Sequence, residues 1–264
     1  MLKLEKICKT FNPGTINEKK ALVDLSLHLK PGDFCTVIGG NGAGKSTMLN
    51  AVAGVWPVDS GSITIDGENI TCLQEYQRAK FIGRVFQDPM FGTAPDMLIE
   101  ENLSLAKRRG EKRTLRWEIT KQEREEYKEL LSQLGLGLED RLTAKVGLLS
   151  GGQRQALTLL MASMKNPKLL LLDEHTAALD PATAAKVLEI SDKIVSENNL
   201  TTLMITHNMT DAIKHGNRLI MMDNGKIILD IEGEEKKKLT KQDLLNQFAI
   251  VAGKQEESDS VLLS

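Results

Sequence analysis

Apolar and polar residues alternate over positions 2 to 8 (LKLEKIC) and 21 to 29 (ALVDLSLHL), the two-residue period of strands with one covered face. Pro31-Gly32 supplies a turn, and Phe34 to Ile38 is a β-prone run that ends in glycines. Lys45 to Ala53 then reads as helix, so the order is strand, glycine loop, helix. Ser62 to Ile65, followed by Asp66-Gly67, predicts a further strand and a tight turn. From about Asp88 to Lys165 the strand pattern stops and the chain becomes helical and charge-rich. There Tyr127, Leu130, Leu131 and Leu134 fall on one helical face, with Gly135 as the expected stop. A continuous apolar strand (Lys168 to Leu172), a helix from about Pro181 to Glu197 and a strand (Thr201 to Ile205) come next. That succession predicts a parallel sheet covered on both faces. Asn224-Gly225, between Leu219 to Met222 and Lys226 to Leu229, is a hairpin signal.

The final stretch reads as a solvated charge run, Glu234 to Lys238, then a short docking helix carrying Leu244, Leu245 and Phe248. Gln255 to Ser264 is expected to fray. Lys107 to Glu126, which holds Trp117, is dense in both charges and reads as a solvated helical face or a contact with a membrane surface or partner.

Composition narrows the class. With 34 Lys+Arg against 36 Asp+Glu the net charge is −2, and aromatic residues are 4%, so a nucleic-acid footprint built on phosphate neutralisation is not expected. Cys8, Cys35 and Cys72 are odd in number and lack CxxC spacing, which argues against a disulfide framework or thiolate metal site and reads as buried thiols. The longest apolar run, Leu169 to Leu172, is far short of the roughly 20 residues of a membrane span, and the N-terminus lacks a secretory pattern. A partner must hold the chain at any membrane where it works.

Three motifs carry the chemistry. Gly39-Gly40-Asn41-Gly42-Ala43-Gly44-Lys45-Ser46 fits G-x-x-x-x-G-K-S/T between a β-run and a helix start. Backbone N–H groups and the positive end of the helix dipole there suit phosphates, Lys45 adds a point charge, and the Ser46 hydroxyl can ligate Mg²⁺. Leu169 to Glu174 is an apolar strand ending in two carboxylates, placed where parallel sheets bind ligands. Asp173 would hold Mg²⁺ and Glu174 would polarise an attacking water. Leu149-Ser150-Gly151-Gly152-Gln153, 20 residues before Asp173 (173 − 153), opens a second anion-binding helix.

With LSGGQ beside the loop and the Asp-Glu strand, residues 2 to 230 resemble the nucleotide-binding subunit of an ABC transporter. The resemblance implies an α/β P-loop NTPase fold of ABC type: a mostly parallel core sheet flanked by helices, an N-terminal antiparallel β part and a helical subdomain. On that reading 1–87 and 166–232 form the ATP-binding core, 88–165 the helical subdomain with the signature, and 233–264 a C-terminal helix and tail. It implies ATP and Mg²⁺ as cofactors, bound between two copies of the chain, or a copy and a paralogous cassette, packed head to tail. Gly39, Asn41, Gly42, Ala43, Gly44, Lys45, Ser46 and Thr47 would hold the nucleotide on one side, with Phe11 stacking on adenine. Ser150, Gly151, Gly152 and Gln153 would approach from the other, and Asp180 lies in the segment expected to cross the interface. The resemblance further implies Ser46, Gln87 and Asp173 at the metal, with Glu174, His207 and Gln87 in catalysis. Alone, Gln87 before Asp-Pro reads as a turn residue and His207 after a strand as a cap; the three motifs in order give both a functional role.

Three residues depart from the family pattern: Gly40 where Pro is usual, His175 where Pro follows the general base, and Ala177 for Ser. None removes a phosphate, metal or water ligand, and His175 reads as structural. Only 104 residues separate Lys45 from Leu149 (149 − 45), too few for the coiled coil of DNA-repair relatives, and the single cassette disfavours a translation factor. An iron-sulfur assembly ATPase is the alternative; a small-molecule kinase would not explain LSGGQ. The expected partners are transmembrane permease subunits, seated near Gln87 and Phe91 to Leu98, and indirectly an extracytoplasmic substrate-binding protein. The expected location is the cytoplasmic face of the membrane. Import is expected, with amino acids, aromatic ones among them, as cargo.

Overall fold

The computed structural model describes residues 1–111, 119–248 and 250; Trp117 and the tail from Gln255 lie outside the described residues. In chain order the strands are β1 (Leu2–Phe11), β2 (Lys19–Leu29), β3 (Phe34–Gly39), β4 (Ser60–Ile65), β5 (Glu68–Asn69), β6 (Ile82–Val85), β7 (Leu169–Asp173), β8 (Thr201–Ile205), β9 (Arg218–Asp223) and β10 (Lys226–Glu232). The helices are α1 (Lys45–Ala53), α2 (Glu75–Arg78), α3 (Ile99–Lys107), α4 (Lys121–Ser132), α5 (Gly151–Ser163), α6 (Pro181–Glu197), α7 (Met209–Lys214) and α8 (Gly233–Lys238), with a further helical stretch over 241–248.

The alternating N-terminal strands build an antiparallel sheet in the order β2-β1-β4-β5. Its covered face carries Leu2, Leu4, Ile7, Leu25, Leu27 and Leu29. The step from Leu4 to Ile7 breaks the period because the register shifts between them, with Lys6 at φ 46. The second sheet runs β10-β9-β3-β8-β7-β6. Its pairs are parallel, as the strand-helix-strand pattern predicts, except the edge hairpin β9–β10. There Asn224 (φ 45) and Gly225 (φ 75) meet the demand of a two-residue turn for two positive φ angles.

β7 shows why the sheet holds. Leu169 and Leu171 face α1 and the antiparallel sheet, Leu170 and Leu172 face α5 and α6, and all four have no exposed surface. Each contributes about 2 kcal/mol of apolar burial. The strand-free stretch packs α3, α4 and α5 onto that second face through Leu103, Tyr127, Leu131 and Leu157. α4 starts at Lys121, two residues before Glu123, because the Thr120 hydroxyl accepts from the Glu123 N–H and the Glu123 carboxylate accepts from the Thr120 N–H.

Several expectations are corrected. β6 is a strand that the apolar pattern does not reveal, since Gly83 and Arg84 interrupt a four-residue run. Of the cysteines only Cys35 is buried; Cys8 is half-buried and Cys72 exposed. The charge run 234–238 is not uniformly solvated. Lys236 is buried, and its ammonium donates to the His215 and Gly216 carbonyls, which ties α8 to the turn before β9. Leu244 is fully buried against Ile38, Leu219 and Met221, while Leu245 is exposed.

Candidate functional site

The glycine loop is held open by two approaches that a side chain would block. Gly39 (φ 155) would place a Cβ 2.3 Å from the Met222 carbonyl oxygen, and Gly44 (φ 99) one 2.5 Å from that of Ala21. The hairpin turn braces the loop from behind, the Gly225 N–H donating to the Ala43 carbonyl at 3.0 Å. α1 begins at Lys45, so its free N–H groups face the loop's concave side. Lys45 is buried, its ammonium donating to the carbonyls of Gly39 (2.8 Å) and Gly40 (3.0 Å). Burial lowers its pKa, against the pull of Glu174 and Asp173.

Phe11, Lys19, Ala21, Asn41, Gly42, Ala43, Gly44, Lys45, Ser46, Thr47 and Glu174 line one cavity of about 300 Å³. Lys19 and Ala21 were not expected from the sequence; they arrive because β2 runs behind the loop, a tertiary fact without a local signal. Phe11 stands at the rim, its ring edge-on to Trp56 with centroids 5.5 Å apart. Larger hollows lie on the antiparallel sheet around Ser26 and Arg218 (about 890 Å³) and beside Phe86, Phe91 and Arg109 (about 880 Å³). Neither has a helix start or a ring of backbone donors, so the smaller cavity is the one with phosphate chemistry.

At the end of β7 the backbone turns sharply. Glu174 sits at φ 45, a conformation uncommon for a residue with a side chain, and its N–H donates to the Ile205 carbonyl at 3.0 Å. Its carboxylate is 3.5 Å from Nδ1 of the exposed His207, which follows β8. Burial raises the Asp173 pKa, opposed by the Arg84 guanidinium 3.3 Å away. His175 is fully buried, with Nε2 3.0 Å from the Ser191 hydroxyl, which itself donates to the Val187 carbonyl. Burial drops its pKa to about 4, so at neutral pH it is an uncharged donor to Ser191 and no acid-base group beside Glu174.

The signature residues do not line the cavity. Ser150 caps α5: its hydroxyl accepts from the Gln153 N–H at 3.2 Å, and the Gln153 side chain accepts from the Ser150 N–H and donates to the Leu136 carbonyl. The Ser150 hydroxyl hydrogen and the first N–H groups of α5 stay available to an anion. Gly152 packs against α6, where a Cβ would lie 2.1 Å from Thr183 Cγ2. Asp180 caps α6 by accepting from the Thr183 N–H. Gln87 is exposed just beyond β6. Ser46, Gln87 and Asp173 offer a hydroxyl, an amide and a carboxylate, the hard-oxygen set that suits Mg²⁺ shared with phosphates.

Fold and site define an α/β nucleotide hydrolase of the phosphate-loop class. Residues 22–177 match the family described as ABC transporter. A tyrosine transport ATP-binding protein of Clostridioides difficile is 45% identical over 249 residues, covering 94% of this chain and 98% of that one. A methionine import ATP-binding protein of Escherichia coli is 36% identical over 235 residues, 86% of this chain and 64% of the relative. A glycine betaine/carnitine/choline transport ATP-binding protein of Bacillus subtilis is 35% identical over 230 residues, 86% and 57% of the two chains. This chain thus spans less than two thirds of the last two relatives. An ATP-binding cassette of an ABC transporter in its ADP conformation superposes with a TM-score of 0.77 at 28% identity, covering 95% of this chain and 98% of the other. A dimeric cassette in a post-hydrolysis state, bound to ADP and Pi, gives 0.74 at 29% identity over 88% and 98%. The chain belongs to the ABC transporter family, as its ATP-binding, ATP-hydrolysing cassette.

Proposed function

We propose that two cassettes close head to tail on ATP, each phosphate loop facing the other copy's signature, and that hydrolysis reopens them to drive solute import through separate permease subunits. The observation that carries this is the separation of the two anion-binding helix starts. α1 opens into the cavity, whereas Ser150, Gly151 and Gly152 lie outside it, so one chain supplies half of each phosphate site. A solved relative that is dimeric and bound to ADP and Pi supports an assembly of two cassettes.

In each site the loop N–H groups and Lys45 neutralise phosphate charge, and Phe11 at the rim stacks on the base. Glu174 accepts the proton of the attacking water, with His207 at 3.5 Å orienting its carboxylate. Ser46, Asp173 and Gln87 would hold magnesium, which would supply charge neutralisation to the nucleotide's phosphates. Gln87 stands at the junction of the core (1–87, 166–232) and the helical part (88–165), which suits it to report nucleotide state to the permease. The remainder, 233–264, is the C-terminal appendage. The cassette then works at the cytoplasmic face of a membrane through its partners, and no helix among the described residues is long and apolar enough to cross one. The tyrosine-transport relative supports an amino-acid cargo, aromatic ones first. On this reading an extracytoplasmic binding protein delivers it to the permease.

Glu174→Gln tests the reading. ATP affinity should stay within a few-fold while turnover falls by at least about a hundredfold, and the variant should elute as a dimer with ATP. Undiminished hydrolysis, or a strictly single species with ATP bound, refutes it.

A further inference from the structure

Arg84 has no part in the reaction as described, yet it touches the metal carboxylate. It pairs in register with Leu171, which puts its side chain on the same face of the sheet as Asp173, two residues further along β7. Its Nη2 donates to the Asn50 side-chain oxygen of α1 at 2.8 Å and to Asp173 at 3.3 Å. The guanidinium lies over the Phe86 ring, 4.5 Å from its centroid. Among the described residues the buried Nε has no hydrogen-bond partner. Asn50 and Phe86 fix the cation, and the side chains of Arg84 and Asp173 are only 13% and 17% exposed, which leaves little water to screen the pair. Two carboxylates, Asp173 and Glu174, thus face two cations, Lys45 and Arg84.

We propose that Arg84 is a positioning residue: an internal cation that shares the Asp173 carboxylate with magnesium and so keeps the site from holding the metal before nucleotide arrives. This rests on Asp173 being the metal carboxylate. A guanidinium cannot deprotonate to make room, and the clamp on Asn50 and Phe86 keeps it from swinging out. A divalent ion entering alone meets a cluster that is already balanced. When it enters with a triphosphate, the added negative charge makes its place favourable, so metal and nucleotide load together.

The test is Mn²⁺ titration followed by electron paramagnetic resonance on the full chain at pH 8, with and without ADP. Arg84→Met and Arg84→Gln should each bind Mn²⁺ about tenfold more tightly without nucleotide, the scale on which a neighbouring charge shifts a proton equilibrium. Arg84→Lys, which keeps the charge, should stay near the parent. Arg84→Gln retains a donor for Asn50, and melting curves identify any variant that fails to fold. Neutral variants that bind Mn²⁺ equally or more weakly overturn the proposal, because a merely structural arginine would misplace Asp173 and lose affinity. Asp173→Asn separates the two failures. If it leaves Mn²⁺ binding unaltered, the assignment of Asp173 falls; if it weakens binding while Arg84→Met does not tighten it, only the role of Arg84 falls.

Discussion

Arg78 shows how the phosphate loop is anchored from its far side. α1 carries the nucleotide-facing N–H groups at one end, and at the other its last carbonyls need partners. Arg78, 2% exposed, supplies them: Nη1 donates to Ala51 (2.7 Å) and Val52 (2.8 Å), while Nε and Nη2 donate to Leu73 (2.8 Å) and Thr71 (2.9 Å). The cation also lies at the negative end of the α1 dipole, which offsets the cost of burying it. Arg78→Met fills similar space but leaves four carbonyls without these donors. At about 1 kcal/mol for each, less about 1 kcal/mol recovered from apolar burial and relief of the buried charge, the loss is about 3 kcal/mol. For a chain of this size that lowers the melting temperature by about 6 to 12 °C. Arg78→Lys, with three donors on one atom, should fall between. Thermal unfolding followed by circular dichroism reads the effect, and ATP affinity of the folded variant should change less than about threefold because the loop lies at the other end of α1. A Met variant that melts within about 2 °C of the parent would refute the anchoring role.

Ser150→Arg should leave ATP binding by the isolated chain near the parent value while abolishing hydrolysis, since under the proposed pairing the signature contributes to another copy's site; loss of binding in the monomer, read by fluorescent-nucleotide titration, would contradict that placement. The buried His175 predicts an acid limb. Its folded pKa, about 4, lies below the ordinary 6.5, so protons bind the unfolded chain first; stability present above pH 6.5 is lost as pH falls toward 4. By about pH 5 that loss reaches about 2 kcal/mol. His175→Gln, which keeps a donor toward Ser191, should shrink the fall in melting temperature between about pH 7 and pH 5, and an identical fall in both proteins would refute it.

What the sequence makes legible is what a few adjacent residues decide. The glycine loop is readable because β3, the turn and α1 are consecutive, and the Asn224-Gly225 hairpin because the turn type demands those residues. The continuous run Leu169 to Leu172 announces a strand buried on both faces, and so the parallel sheet. β6 is hidden because its contribution to the site is a charge, Arg84, and a glycine, Gly83, whose Cβ would meet the Ala162 carbonyl at 2.4 Å. Lys19, Arg78 and Lys236 are likewise illegible. Each is a surface-type residue whose role depends on carbonyls or a loop brought close only by folding.

α6 connects features that the motifs present as separate. The strained turn at Glu174 runs directly into His175, which is anchored to Ser191 in the middle of α6. Asp180 caps the start of the same helix through the Thr183 N–H, and Thr183 packs so closely on Gly152 that no side chain fits there. Glu174, the proposed general base, and the signature helix of one chain therefore bear on a single 17-residue helix. Under the proposed pairing those two groups serve different nucleotides. A displacement of the base in one site then moves the signature of the other as part of the same packed unit, because close-packed elements shift together. The tight glycine contact, which carries no chemistry of its own, is what makes that transmission stiff.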